Sequence, residues 1–447
     1  MRTAAAAAAI VVVFLAVYLP DIGHGFIKDD FGWIALAGVD GVRDVARIFS
    51  TNVGFYRPLV SLTFAADRSV WDLHAFGYGL TNLALCLIDA WLLFAMARRL
   101  GLAATAALAA MGIWLMNPHG VNMALLWISG RTAICVVLFA LAAAHAVLSR
   151  RPFVAGTLCL AALLCKEEAV ALPALFTLFL AIDTRSCGER TNTRARFTGV
   201  TRDVWPLWAA LVVYSVLRAE SGAFGPATAP TYYRFSVSPL VVLRNIAEYA
   251  DRAATFATVI VLVLLVATRW KRVEFSREER RTITLAAVWV PATYALTVFL
   301  PVRSSLYALF PSVGVALAAG AIASRASRAD PQRFTRLAIA LIVIVAVMIP
   351  VYRGRNERWV GLGDLSTRVL QAIEASTRGR SSGHLVLIDA PAERFNLDST
   401  FGTLFPNAID LTRGAAWTGE IVAPGATLPA DATHVRRLVD GTLRPAR

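Results

Sequence analysis

Two adjacent carboxylates, Asp29 and Asp30, lie in the run HGFIKDDFGWI, a few residues beyond an apolar N-terminal stretch. Such a pair at a membrane surface does chemistry in one of two ways. One member serves as a general base, its pKa raised by its neighbour and by partial burial, or the two hold a divalent cation that also binds a phosphate. An isolated Asp-Asp is more often a solvated turn or a helix N-cap, so its company decides. Arg57 and His74 follow in the same segment, and His119 and Arg131 bracket a Trp-containing run, NPHGVNMALLWISGR. Lys166, Glu167 and Glu168 interrupt apolar sequence in CKEEAVALP. Tyr232, Tyr233 and Arg234 open TYYRFSVSP, and Arg303 and Tyr307 stand in PVRSSLYALFPSVG.

Each has an ordinary role when taken alone. Arg57 can snorkel at the interface, His74 can cap a helix, Arg131 can pair with a carboxylate of the first loop, and the Lys-Glu-Glu turn can be a hairpin tip in water. Taken together they describe a polar, Arg-containing chamber beside an apolar wall. That combination suits a lipid phosphate, because Arg gives bidentate phosphate contacts and apolar grooves hold the chain. A cation, if one is used, has Asp30 and Glu167 as its candidate ligands, although no spacing demands it.

The elements that must position these residues are membrane spans. The chain has 447 residues, 57% hydrophobic and 17% charged, against roughly 25% charged for a soluble domain. Its net charge of +14 sits in short blocks between apolar runs and not in one basic domain with stacking aromatics, which argues against a nucleic-acid partner. Spanning requires about 20 mainly apolar residues. This criterion predicts an all-α polytopic fold of about eleven transmembrane helices, near 4–20, 78–97, 102–117, 130–148, 152–165, 168–183, 204–218, 253–268, 282–300, 306–323 and 336–352. The first has no convincing cleavage site and is read as an uncleaved span. With Met1 inside, every basic loop falls on the cytoplasmic side, and the polar residues above all fall on the other.

The outer segment 21–77 is long enough for one or two interfacial helices, and the stretch carrying Arg244, Glu248 and Arg252 suits another. The division is a membrane domain over 1–352 and a small extracytoplasmic α/β appendage over 353–447, in which RWVGLGDLSTRVLQAIEAS reads as helix and HLVLIDAP as a buried strand. Five cysteines show neither paired metal spacing nor a disulfide framework, and no internal repeat is visible.

The order apolar span, Asp-Asp, YRPL, FGYGLTNLALCLIDAWLLF, WISGR, KEEAVALP, RSSLYALFPSVG resembles the C-type (GT-C) integral-membrane glycosyltransferases. The likeness is to the protein O-mannosyltransferase-like branch, whose eukaryotic members carry tetratricopeptide repeats, and it covers roughly residues 1–350. The resemblance implies a hexosyl- or pentosyltransferase with a polyprenyl-phosphate-linked sugar as donor and a protein, lipid or polysaccharide as acceptor. It places the catalytic acidic pair at Asp29 and Asp30, the arginine before the tenth span at Arg303, and the Lys-Glu turn at Lys166 and Glu167. The chain departs from that branch in lacking the repeats. The expectation is a transferase of a bacterial inner membrane, active on the periplasmic face, with Asp29 or Asp30 as base, Arg57, Arg131, Lys166 and Arg303 on the donor phosphate, and His74, His119, Glu167, Tyr232, Tyr233, Arg234 and Tyr307 on substrate. The alternative is a transporter or flippase of a lipid-linked or anionic solute, which predicts inverted repeats and charges on both faces.

Overall fold

The computed structural model describes residues 2–39, 41–50, 55–186, 193–223, 233–268 and 274–446. All eleven expected apolar segments are helical, but the structure does not confirm eleven spans. Among the described residues seven helices are long and apolar enough to cross a membrane. The pair Pro331–Val347 and Ile349–Ser376, bent by 45°, makes an eighth if taken as one span. Ala104–Leu115 and Pro152–Leu163 have 12 residues each, or about 18 Å at 1.5 Å per residue, against a hydrocarbon core of about 30 Å. Apolar sequence continues past them, yet the helices stop at Met116 and Leu164, just before Asn117-Pro118 and Lys166. The chain is a multi-pass membrane protein.

Two outer segments are more ordered than their sequences predict. Three helices, Asp29–Leu36, Val42–Ser50 and Pro58–Trp71, fill the first. The stretch with Arg244, Glu248 and Arg252 does not lie along the interface as a separate element. It is continuous with the following span in one 29-residue helix, Pro239–Ala267. Its i,i+4 pairs, Arg244–Glu248 at 3.0 Å and Arg252–Glu248 at 3.1 Å, support that helix where its sequence is too polar for lipid.

The basic loops gather at one end of the bundle through ion pairs across helices. Arg281 meets Asp183 at 2.9 Å, Arg328 meets Glu279 at 2.6 Å, and Arg150 meets Asp203. Ser276 and Glu279 close a capping box there. The segments bearing Asp29, Arg57, His119, Lys166 and Arg303 connect the opposite ends.

The tail is rooted in the bundle. The 28-residue helix Ile349–Ser376 runs straight through the expected boundary at 352/353 and leads into a four-stranded sheet of order β2-β1-β3-β4. Strand β1 (Gly383–Ile388) is central and parallel to β2 (Trp417–Val422) and β3 (His434–Val439), while β3 and β4 (Thr442–Pro445) form an antiparallel hairpin. The LVLI of β1 is buried, as its unbroken apolar run requires. Phe31, Trp33, Ile34 and Phe64 share one apolar cluster with Leu365, Val369, Phe401 and Phe405, and Phe31 stacks on Phe401 at 5.6 Å. The tail thus docks on the helix that carries the acidic pair.

That docking needs two glycines. A Cβ on Gly363 would lie 2.7 Å from the Gly25 oxygen and 2.8 Å from its nitrogen, and would also meet the His24 ring. Gly363→Ala is expected to cost about 1–3 kcal/mol through overpacking, read as a lower melting temperature of the purified chain. An unchanged melting temperature would mean that the crossing is loose. Cys86, Cys135, Cys159 and Cys165 are buried free thiols; Cys187 lies outside the described residues.

Candidate active site

The Asp29–Leu36 helix begins under constraint. Lys28, just before it, has φ 48° and ψ −123°, a conformation that costs a non-glycine residue of order 1–3 kcal/mol. Its N–H donates to the Thr400 carbonyl of the tail at 2.8 Å. From there the two carboxylates diverge, as neighbours about 100° apart on a helix must. Asp30 turns into the protein and is fully buried. It accepts from the Ile27 N–H at 2.9 Å, from the Ser129 N–H at 2.7 Å and from the Ser129 hydroxyl. Asp29 opens into a cavity of about 1000 Å³.

Asp29 is exposed to this cavity. Burial raises its pKa above the ordinary carboxylate value, while the charges of Arg57 and Lys28 oppose the shift. Burial pushes Asp30 further, to about 7, against the hydrogen bonds from Ser129 and Ile27 that favour its ionised form. Between its unfolded pKa of about 4 and its folded value the native state holds a proton that the unfolded chain has lost. Stability from this group therefore falls as pH rises through that window and is flat above it. The melting temperature of the wild type minus that of Asp30→Asn is expected to fall from pH 4 to pH 7; a rise would contradict burial as the dominant cause.

Seven of the expected site residues line the cavity: Asp29, Arg57, His119, Lys166, Tyr233, Arg303 and Tyr307. Arg57 is fixed by Glu167, with Nη2 and Nε donating to Oε2 at 2.7 and 3.1 Å, and lies over the Phe55 ring at 4.2 Å. Burial alone would raise Glu167, but the Arg57 charge and hydrogen bonds, helped by Arg218, hold it below the usual range. Glu167 is thus the counterion of a cavity residue and does not line the cavity itself. Lys166 sits 2.9 Å from Glu168 and 5.1 Å from the Tyr307 ring centre. Its ammonium is buried and faces the Glu168 carboxylate. Arg303 pairs with Glu248, which also holds Arg252.

Other expected site residues are elsewhere. Arg131 is fully buried and does not reach the cavity; its partner is a carboxylate of the first outer segment. Its Nη2 donates to Asp67 at 2.5 Å and to the Tyr78 carbonyl at 3.0 Å, its Nε to Asn82 at 2.6 Å, and its guanidinium lies 4.5 Å over Phe64. His74 precedes the Ala75–Arg99 helix, with its ring against the Trp71 carbonyl at 2.9 Å. Arg234 is exposed and off the cavity, and Tyr232 lies outside the described residues. The carboxylates expected to share a cation do not form a site for one. The oxygens of Asp30 are taken by Ile27 and Ser129, those of Glu167 by Arg57 and Arg218. Among the described residues no three His, Cys, Asp or Glu side chains converge as ligands.

Several lining residues have no counterpart among the expected site residues. Lys28 and Arg252 come from the membrane part, and Arg355, Arg358 and Arg394 come from the tail. Their signal in the sequence is RNERW, which places Arg355, Arg358 and Trp359 on one face by the i, i+3, i+4 rule. Among the described lining residues eight are Lys or Arg and one, Asp29, is acidic. The charged side chains that face the cavity are thus mostly cationic, although carboxylates behind the lining pair with several of them.

No family model matches the chain. Over 172 residues, 34% of this chain, it is 30% identical to Protein O-mannosyl-transferase Tmtc1 of Drosophila melanogaster, and the match spans about one fifth, 20%, of that relative's length. Among solved structures it superposes on ArnT from Cupriavidus metallidurans bound to undecaprenyl phosphate with a TM-score of 0.52 at 15% identity, covering 94% of this chain and 85% of that one. The apo form of the same protein gives 0.51 with the same coverage. At that identity the likeness is one of fold: the chain has an ArnT-like fold.

Proposed function

We propose that the chain is a membrane glycosyltransferase that moves a hexose or pentose from a polyprenyl-phosphate carrier to an acceptor hydroxyl at the Asp29 cavity. The carrying observation is the placement of Asp29, the lone carboxylate among described lining residues whose other charged members are all Lys or Arg. Its raised pKa brings the base closer to the working pH, where general-base catalysis is most effective. Asp29 takes the hydroxyl proton as the acceptor oxygen attacks the anomeric carbon. The bond from that carbon to the phosphate oxygen breaks, and its electron pair leaves with the lipid phosphate, so a single displacement inverts the anomeric configuration.

Phosphate is already a competent leaving group, and no general acid is required. Arg57, Lys166 and Arg303 stabilise the negative charge that develops on it. Asp30 is the positioning residue: it ties the Asp29–Leu36 helix to Ser129 and so aims its neighbour. Undecaprenyl phosphate bound to the fold neighbour supports this donor class. The chemistry belongs to residues 1–352, residues 353–447 close one wall, and the cavity faces the periplasm from a bacterial inner membrane.

The fate of the sugar-lipid tests the reading. The chain in liposomes is given isotopically labelled polyprenyl-phosphate sugars extracted from membranes, together with an acceptor extract. Free polyprenyl phosphate is expected to accumulate as sugar leaves the lipid. Recovery of the intact sugar-lipid in the opposite leaflet would instead establish a flippase.

A further inference from the structure

Apart from Lys28, whose charge acts on the neighbouring Asp29, the basic residues of the cavity fall into two groups that differ in how their charge is compensated. Arg57 has Glu167, Lys166 has Glu168, and Arg252 and Arg303 share Glu248. On the tail side Arg394 pairs with Glu357 at the exposed rim, at 3.1 Å. Arg355 and Arg358 have no carboxylate within ion-pair distance among the described residues; the polar contact of Arg355 is the His119 ring at 3.4 Å. This is not for want of acids near the helix, since Arg353, two residues earlier, pairs with Asp21 at 3.0 Å. Arg358 is held in place without a counterion. Its guanidinium lies 5.3 Å over the Trp359 ring, which stacks on Trp127 at 6.2 Å with 3° between the planes and donates its indole N–H to Asn122 at 3.1 Å.

We infer that this tail wall is a second anion site, and that the acceptor carries a phosphate or carboxylate near its reacting hydroxyl, bound by Arg355 and Arg358. The inference rests on the transferase reading and adds the chemical class of the acceptor. A polyprenyl monophosphate has one phosphate, which the compensated loop-side cations accommodate. The uncompensated arginines line the same cavity from the Ile349–Ser376 helix, and a planar fork held on an indole is pre-organised for a bidentate oxyanion. An acceptor anchored there brings its hydroxyl into the space that Asp29 lines.

The test uses the full chain in nanodiscs of neutral lipid, with tryptophan fluorescence as readout because Trp127 and Trp359 adjoin Arg358. The probes are undecaprenyl phosphate and glycerol 3-phosphate, a small hydroxyl-bearing phosphomonoester. Glycerol 3-phosphate is expected to bind saturably even when undecaprenyl phosphate is saturating. The Arg355→Ala/Arg358→Ala double variant, truncating two exposed side chains, should weaken glycerol 3-phosphate by about tenfold or more and undecaprenyl phosphate less than about twofold. Arg57→Ala should show the reverse order.

Competition between the two probes for one site, or a double variant that binds glycerol 3-phosphate like the wild type, would overturn the second site. So would displacement of glycerol 3-phosphate by undecaprenyl diphosphate and not by the monophosphate, which would assign the tail wall to a second donor phosphate. Failure of undecaprenyl phosphate to bind the wild type would instead sink the donor reading, and the glycerol 3-phosphate titration would still judge the tail wall.

Discussion

Asp29→Asn is expected to reduce sugar transfer by about 10²- to 10⁴-fold, the range over which a positioned general base contributes, while binding of the donor lipid survives. The substitution keeps the size of the side chain and removes only its basicity. Asp29 makes no structural hydrogen bond that Asn would break, and its surroundings are cations whose repulsion it partly relieves. Burial outweighs that relief and disfavours the charge on balance, so the fold and its stability are expected to survive the neutral substitution. Asp30→Asn should behave differently. Its amide nitrogen would face an N–H of Ile27 or Ser129, so that variant loses stability first and activity in consequence. Measuring donor affinity and transfer rate on both variants separates the two roles. Equal, purely kinetic losses from both would mean that the pair acts as a unit and that the division drawn here is wrong.

Arg131→Ala is expected to give the largest loss of stability in the membrane part, about 3–5 kcal/mol, because it leaves the carboxylate of Asp67 buried without its partner. It also strands the Asn82 side chain and the Tyr78 carbonyl. The chain should accumulate poorly and melt earlier, and Arg131→Lys should rescue little, since one ammonium cannot replace a fork that reaches Asp67, Asn82 and two carbonyls. A variant with wild-type melting temperature and weakened donor affinity would return Arg131 to the phosphate site, contrary to its burial.

The contrast between Arg57 and Arg131 shows what was legible in the sequence. Both are arginines expected on the outer side and near helix starts, and composition cannot tell them apart. What separates them is the carboxylate each one meets: Glu167 at the cavity rim for Arg57, Asp67 in the interior for Arg131. Those pairings join positions far apart in sequence. The Asp-Asp signal marks a helix that borders the cavity, but which of the two carboxylates opens into it depends on Ser129, which supplies donors only to Asp30. Hydropathy located every apolar helix and overcounted the spans because it registers apolarity and not where a helix stops, as at Met116 before Asn117-Pro118. In the tail, β1 was readable as an unbroken buried run, whereas β3, HVRRLV, carries two arginines and gave no strand signal. Basic residues just beyond a span are ordinary in sequence, and only the stacked tryptophans and the lack of an ion-paired carboxylate among the described residues distinguish Arg355 and Arg358.

The central claim is that the lipid phosphate of the donor is held beside Asp29 by the loop-side cations. An experimental structure of the full chain with undecaprenyl phosphate tests it most directly. Phosphate density is expected among Arg57, Lys166 and Arg303, within hydrogen-bond reach of at least two of them, with the lipid chain leaving the cavity between spans. Density for the phosphate at the Arg355–Arg358 wall or outside the cavity, with the space around Lys166 empty, would contradict it.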